Sequence, residues 1–330
     1  PFIAHYLHYK SLHLMLDLLL GKYLLLVSED TTMIEIFQLH QMEITMRIAV
    51  TGATGQLGQF VISQLLERTE AKNIVALVRN PEKALDLSSK GVEVRPFDYV
   101  NDVEKLSEQL QGIDKLLLIS SNEIGQRTVQ HQNIINAAKL AHVKFIAYTS
   151  LLKADVTPLL LAQEHVETEE YLKASNIPYT LLRNNWYNEN YAMGLKQAVE
   201  HGKIFGATHH GKVSSASRLD YATAAAVVLT QDGHENKIYE LAGDTSYTLD
   251  DVAKWTSEIT QKDVTYQDLP EEEYKAFLVQ VGVPEGFAHI LADSDEGVSK
   301  HGLYSDSKDL HQLIGRATTS MQETVKEFLK

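Results

Sequence analysis

The sequence predicts an α/β fold: a doubly wound parallel sheet followed by a smaller, mainly helical lobe. Three observations carry that expectation. From Met46 onward, short β-branched runs alternate with amphipathic stretches of helical length. Some runs, such as Leu116-Leu117-Leu118-Ile119, are apolar without interruption, as a parallel strand covered on both faces requires. A glycine-rich turn, Thr51-Gly52-Ala53-Thr54-Gly55-Gln56-Leu57-Gly58, follows directly on the first run and opens the first helical stretch.

Taken in order, the predicted strands are 48–51, 74–78, 92–97, 116–120, 145–149 and 179–182. The helical patterns between them are 57–68, 81–90, 102–111, 125–141 and 163–175. Alternation of this regularity means βαβ units with right-handed crossovers. After Arg183 the rhythm changes. Helices are expected over 186–200 and 217–230, a strand over 238–241, and a helix over 248–260 that Thr248 caps with Asp251 at its N3 position. A strand over 263–268 and further helices complete the chain. Three regions follow: an upstream extension, 1–45; a nucleotide-binding domain, 46–183; and a substrate-side lobe, 184–330, interwoven with the sheet.

Of the 330 residues, 44% are hydrophobic and 22% charged, an ordinary globular composition. The net charge of −14 disfavours nucleic acid as a partner, because an acidic surface repels phosphate backbones. The absence of cysteine excludes disulfides, thiolate metal sites and a cysteine nucleophile, and fits a reducing cytoplasm. No membrane span is expected: the leucine-rich run 12–27 carries Asp17 and Lys22 and falls short of the ~20 apolar residues a span needs. Residues 1–45 are expected to be extra upstream sequence rather than a functional extension, since Met46 sits directly before the first strand. The oligomeric state is left open between monomer and homodimer.

The glycine turn carries the strongest chemistry. Gly52 permits the tight turn, Gly55 lets backbone approach a diphosphate, and Gly58 allows close helix–strand packing. The helix start then offers free N–H groups and a positive dipole end to phosphate. This is the dinucleotide-binding arrangement of a Rossmann fold. An NAD site places an acidic residue at the end of the second strand, about 20 residues on. Here that position holds Arg79, with Lys83 one turn later, so a 2′-phosphate, and hence NADPH, is favoured. Asp98 either accepts from the adenine amino group or caps the helix near Asp102.

The segments Thr51 to Gly58, Val78-Arg79-Asn80, Leu116 to Ser121, Phe145 to Ser150 and Tyr179 to Tyr187 resemble the NmrA-like branch of atypical short-chain dehydrogenases. So do Tyr239-Glu240-Leu241-Ala242-Gly243-Asp244 and Leu313-Ile314-Gly315-Arg316. The resemblance runs from Met46 to about the C-terminus and leans to the quinone- and dye-reducing members. It implies that Thr51, Gly52, Ala53, Thr54, Gly55 and Gln56 form the pyrophosphate loop and Arg79 the 2′-phosphate clamp. Ser120, Ser121 and Asn122 would line the ribose and diphosphate. Asn184, Asn185, Trp186, Tyr187, Asn188 and Glu189 would face the nicotinamide and open into the acceptor pocket. Arg218 would reach cofactor or pocket, or form an ion pair at the surface.

The usual proton donor of short-chain dehydrogenases is a Tyr-x-x-x-Lys pair after the fifth strand, and it is missing: Leu152 stands four positions after Tyr148. The matches Tyr6/Lys10 and Tyr304/Lys308 are in the wrong places. His165 is the alternative donor, and Asn185 and Trp186 are the expected orienting groups. Trp186, Tyr187 and Tyr191 offer an aromatic wall, or packing between lobes. Hydride addition to a quinone gives a stabilised anion that water can protonate, so the missing pair argues for a quinone-like acceptor over a carbonyl. No metal is expected, because the adjacent His209 and His210 lack ligand spacing. The rival reading is a dinucleotide sensor without turnover.

Overall fold

The first predicted strand, β1 (Ile48–Thr51), is buried along its whole length and lies inside a seven-stranded sheet. The computed structural model describes residues 46–330, which form one unit. The apolar run 12–27 and Tyr6/Lys10 lie outside the described residues. The other strands of the main sheet are β2 (Ile74–Val78), β3 (Glu93–Pro96), β4 (Lys115–Leu118), β5 (Phe145–Leu151), β6 (Tyr179–Asn184) and β8 (Lys237–Leu241). Their order is β3-β2-β1-β4-β5-β6-β8, and every neighbouring pair is parallel. The order reverses between β1 and β4, where a crevice opens beyond their carboxyl ends.

Alternation along the strands builds two cores. Ile48, Val50, Ile74, Ala76 and Leu117 face α1 (Gln56–Leu66) and α8 (Arg218–Thr230). Ala49, Val75, Leu77, Leu116 and Leu118 face α3 (Val103–Gln109), α4 (Arg127–Leu140) and α5 (Ala162–Ala174). Ala222, Ala225 and Ala226 keep α8 slim enough to lie close on α1, where the Thr223 hydroxyl donates to Gln64 Oε1 at 3.1 Å. The last third of the chain therefore supplies one covering helix and the seventh strand of the main sheet. β3 is the opposite edge. Its Arg95 donates to Glu93 and to the carbonyls of Gln109 and Gln111, and Pro96 ends it.

The rest of the C-terminal part gathers around a two-stranded parallel sheet, β7 (Lys203–Gly206) and β9 (Thr265–Asp268). Around it stand α9 (Leu249–Thr260), α10 (Glu271–Gln280), α11 (Glu285–Ser299) and α13 (Met321–Phe328); α12 (Asp309–Ile314) packs instead beside β8 and α8. The expected capping box at Thr248 and Asp251 is present. Two expectations need correction. The pattern 81–90 is broken into a 3-10 turn, Pro81–Ala84, and α2 (Leu85–Ser89), because Asn80 Oδ1 takes the Glu82 N–H and tightens the first turn. The pattern 186–200 is not one helix. Trp186 to Asn188 pair with Ala216 as extended chain, and only then come α6 (Asn188–Ala192) and α7 (Leu195–His201), parted at Gly194. No helix among the described residues is long and apolar enough to cross a membrane.

Candidate active site

The glycine turn lies at the carboxyl end of β1, over the crevice. Gly52 sits at φ +59°, and the Gly55 N–H returns to its carbonyl at 2.8 Å. A Cβ on Gly58 would stand 2.3 Å from the Gly52 carbonyl oxygen, so no side chain fits there without moving the turn. Gly52, Gly55 and Gln56 are open to solvent, while Ala53, Leu57 and Gly58 are buried beneath them. Thr54 is half-buried, and its carbonyl accepts from the Gln59 amide. α1 begins with no side-chain cap and no acidic residue in its first turn. Its first N–H groups and dipole end are thus presented without a competing anion, which fits a dinucleotide diphosphate. Thr51 points the other way. Its hydroxyl accepts the Ile119 N–H at 2.9 Å and lies 2.5 Å from the Tyr99 hydroxyl, bracing β1 to the end of β4.

Arg79 follows β2 at the other side of the crevice, 73% exposed. Its guanidinium lies 3.8 Å from Glu123, in the loop after β4, and the pair reaches across β1. Asp102, not Asp98, caps α3, through the Lys105 N–H.

The loop after β4 is held from behind by buried polar groups. The Ser120 N–H donates to Thr149 Oγ1, and Asn122 faces solvent. Ser121 is fixed at both ends: its N–H donates to His131 Nε2 at 2.9 Å, and its carbonyl accepts from Arg127 Nε at 2.7 Å. These contacts set the imidazole tautomers. His131 must accept at Nε2, so its Nδ1–H donates to Thr168 Oγ1 at 3.0 Å. Arg127 Nη1 can only donate, and His165 Nε2 faces it at 3.5 Å. His165 therefore carries its proton on Nδ1 and gives it to the Tyr148 hydroxyl at 2.7 Å. Burial, reinforced by the Arg127 charge, pushes His131 down to about 3 and His165 well below the usual imidazole range.

This placement corrects the expectation for His165. It is neutral, 4% exposed and engaged at both nitrogens, so it supports the loop and does not donate a proton to an acceptor. Sequence reasoning missed Arg127, His131 and Thr168 altogether. Their partners come from β4, β5 and α5, and no local motif joins them.

Beyond β6, the six residues 184–189 divide by role. Asn184 ends the strand in register with Leu151 and Leu241. Asn185 was expected to orient the reacting groups; instead its amide is spent inside the protein. Nδ2 donates to the carbonyls of Ser214 and Leu303, and Oδ1 accepts the Trp186 N–H, with the side chain 3% exposed. Asn188 is likewise buried, bonded to Thr319, Thr324 and Ser215. Trp186 and Tyr191 pack partly buried on the small-lobe core, so the expected role of Trp186 as an orienting group reduces to that of a wall. Arg218 is no surface residue. Its guanidinium lies 4.5 Å over the Tyr187 ring, bonds Asn190 at 2.7 Å and pairs with Glu189 at 3.4 Å.

A seven-stranded parallel sheet with an uncapped, glycine-lined helix start at its switch point defines a dinucleotide-binding protein of the doubly wound class. The chain belongs to the NmrA-like family, whose model matches residues 44–329. Quinone oxidoreductase 2 of Escherichia coli strain K12 is 56% identical over 281 residues, 85% of this chain and 98% of the relative. Among solved structures, the Escherichia coli NADPH-dependent quinone oxidoreductase QOR2 in complex with NADPH matches at a TM-score of 0.84 and 55% identity, covering 86% of this chain and all of that one. The Citrobacter triphenylmethane reductase complexed with NADP(H) matches at 0.82 and 45%, covering 85% of this chain and 99% of that one.

Proposed function

We propose that the chain is an NADPH-dependent reductase acting on a quinone or a similarly electron-poor small acceptor. The observation that carries this reading is the end-to-end likeness to Quinone oxidoreductase 2, joined to a cofactor cradle free of anions at the start of α1. Bound NADPH would supply hydride to the acceptor. The residues of the chain bind and orient. The free N–H at Gln56, at the exposed start of α1, would receive the diphosphate, and Arg79 the 2′-phosphate. The loop at Ser120 and Ser121, stiffened by Arg127 and His131, would border the ribose. Trp186 and Tyr191 would wall the flat acceptor beside the nicotinamide.

The buried state of Tyr148 takes this tyrosine out of acid–base work at the acceptor. Its hydroxyl is fully enclosed and its pKa is raised by burial, so it offers no acid to an alkoxide. The test is NADPH oxidation, followed by loss of the reduced-nicotinamide absorbance, against a panel of quinones, triarylmethane dyes and aldehydes. Turnover of quinones and not aldehydes is expected. Tight NADPH binding with no turnover of any acceptor would refute the reading.

A further inference from the structure

The carboxyl of Asp295 has no part in the arrangement described so far. It stands on α11, 5% exposed, and no cation pairs with it among the described residues. Oδ2 accepts the N–H of Ala207, just past β7, at 3.1 Å, and Oδ1 lies 3.4 Å from the Tyr191 hydroxyl. Gly206 makes room for it: a Cβ there would stand 2.9 Å from Oδ2. Tyr191 from α6, Tyr247 before α9 and Tyr274 from α10 surround the group. Burial, with a contribution from the charge of Asp295, holds their hydroxyls protonated. Asp268, at the end of β9, faces it too, but bonds Tyr266 and His209, and His209 is also bonded to Glu296.

An unpaired carboxylate in such surroundings is costly, and the group responds by keeping its proton. Burial raises Asp295 to about 7. Among the described residues its hydrogen-bonded side-chain partner is Tyr191, a half-buried residue on the helix that begins just beyond the end of β6. Ligands of a doubly wound sheet lie beyond those strand ends.

We propose that Asp295, acting through the Tyr191 hydroxyl, is the proton source for the reduced acceptor; this rests on the quinone-reductase reading. A quinone that takes hydride from NADPH gains two electrons and one proton, and is left with one negative charge on oxygen. The Tyr191 O–H proton passes to that oxygen and the Asp295 proton to Tyr191. The products are the hydroquinone, oxidised cofactor and an Asp295 carboxylate, which solvent reprotonates before the next turnover. A tyrosine that cannot ionise by itself suits a relay, since it gives a proton only as it receives one.

The experiment measures kcat against pH with NADPH and a soluble quinone for the wild type, Asp295→Asn and Tyr191→Phe. NADPH affinity and the infrared carboxylic C=O band are measured on the same proteins. Wild-type kcat is expected to fall as pH rises through about 7. Both variants should bind NADPH normally, lose kcat on the order of 10²-fold and lack that alkaline limb. An infrared band titrating with the wild-type limb should vanish in Asp295→Asn, whose amide can still accept the Ala207 N–H. Wild-type turnover and pH profile retained in either variant would overturn the relay alone. Absence of quinone turnover in the wild type would overturn the functional reading beneath it.

Discussion

The Tyr148 hydroxyl lies 2.7 Å from Nδ1 of His165, and neither group reaches the crevice. Because His165 donates, the Tyr148 hydroxyl accepts; beside it the Thr168 hydroxyl donates to the Glu164 carbonyl. Both sets of contacts lead back to Ser121, through Arg127 on one side and His131 on the other. A tyrosine near the family's usual acid position has thus become part of the wall behind the cofactor loop.

Tyr148→Phe is therefore expected to keep most of its quinone reductase kcat while losing stability. The buried His165 N–H would be left without an acceptor, a cost of about 1–3 kcal/mol. Steady-state kinetics together with denaturant melts check both halves. A collapse of kcat by 10²-fold or more, with normal NADPH binding, would restore an acid role to this phenol.

Arg79→Ala should weaken NADPH far more than NADH. The lost contact is charge-assisted and goes to a phosphate that only NADPH carries, worth ~1.5–3 kcal/mol or about 10- to 150-fold. Titration of both cofactors by nicotinamide fluorescence decides it, and equal losses would remove Arg79 from the 2′-phosphate site.

Glu123→Gln should do the reverse. Glu123 competes with the phosphate for Arg79 across 3.8 Å, and the pair is well exposed. The gain in NADPH affinity is accordingly expected to be less than about tenfold and to shrink with added salt. Unchanged affinity at low ionic strength would show that the two charges do not compete.

The imidazole of His131 carries a pH prediction. It is pushed down to about 3 in the folded chain, against an ordinary value near 6.5 when unfolded. Between those values the unfolded chain binds the extra proton, so stability falls as pH drops through that window. His131→Gln keeps an acceptor for Ser121 and a donor for Thr168 but cannot titrate. Denaturant melts from neutral to acid pH should show its stability depending on pH by about one proton less than the wild type.

Removal of residues 1–45 should leave fold and NADPH affinity intact, because the family match begins at residue 44 and 46–330 form their own unit. Circular dichroism and cofactor titration of the shortened chain test this, and an insoluble product would count against it.

The legibility of this chain follows the range of its interactions. β1, the glycine turn and the Thr248 cap are settled by neighbours within a few residues, so their local chemistry shows in the sequence. β7 is settled by pairing with β9, some sixty residues on, and was not foreseen. Asn185 looked like a site residue because it follows β6. Its fate depends on Ser214 and Leu303, which no spacing rule connects to it. Asp295 gave no signal at all: one carboxylate on a helix becomes unusual only when three tyrosines close around it.

The two margins of the main sheet bear on how copies of this protein can meet. β3 turns outward with the Glu93 and Arg95 charges locked together and Pro96 lacking an N–H. At the other margin the Glu240 N–H of β8 is already taken by the Asp309 carboxylate at 2.9 Å. Neither rim offers an open ladder for a second chain to extend. Among the described residues, the rims of the main sheet therefore disfavour strand-to-strand pairing of subunits. Continuous strand-by-strand growth, the route to fibrils, is hindered at both ends of the main sheet.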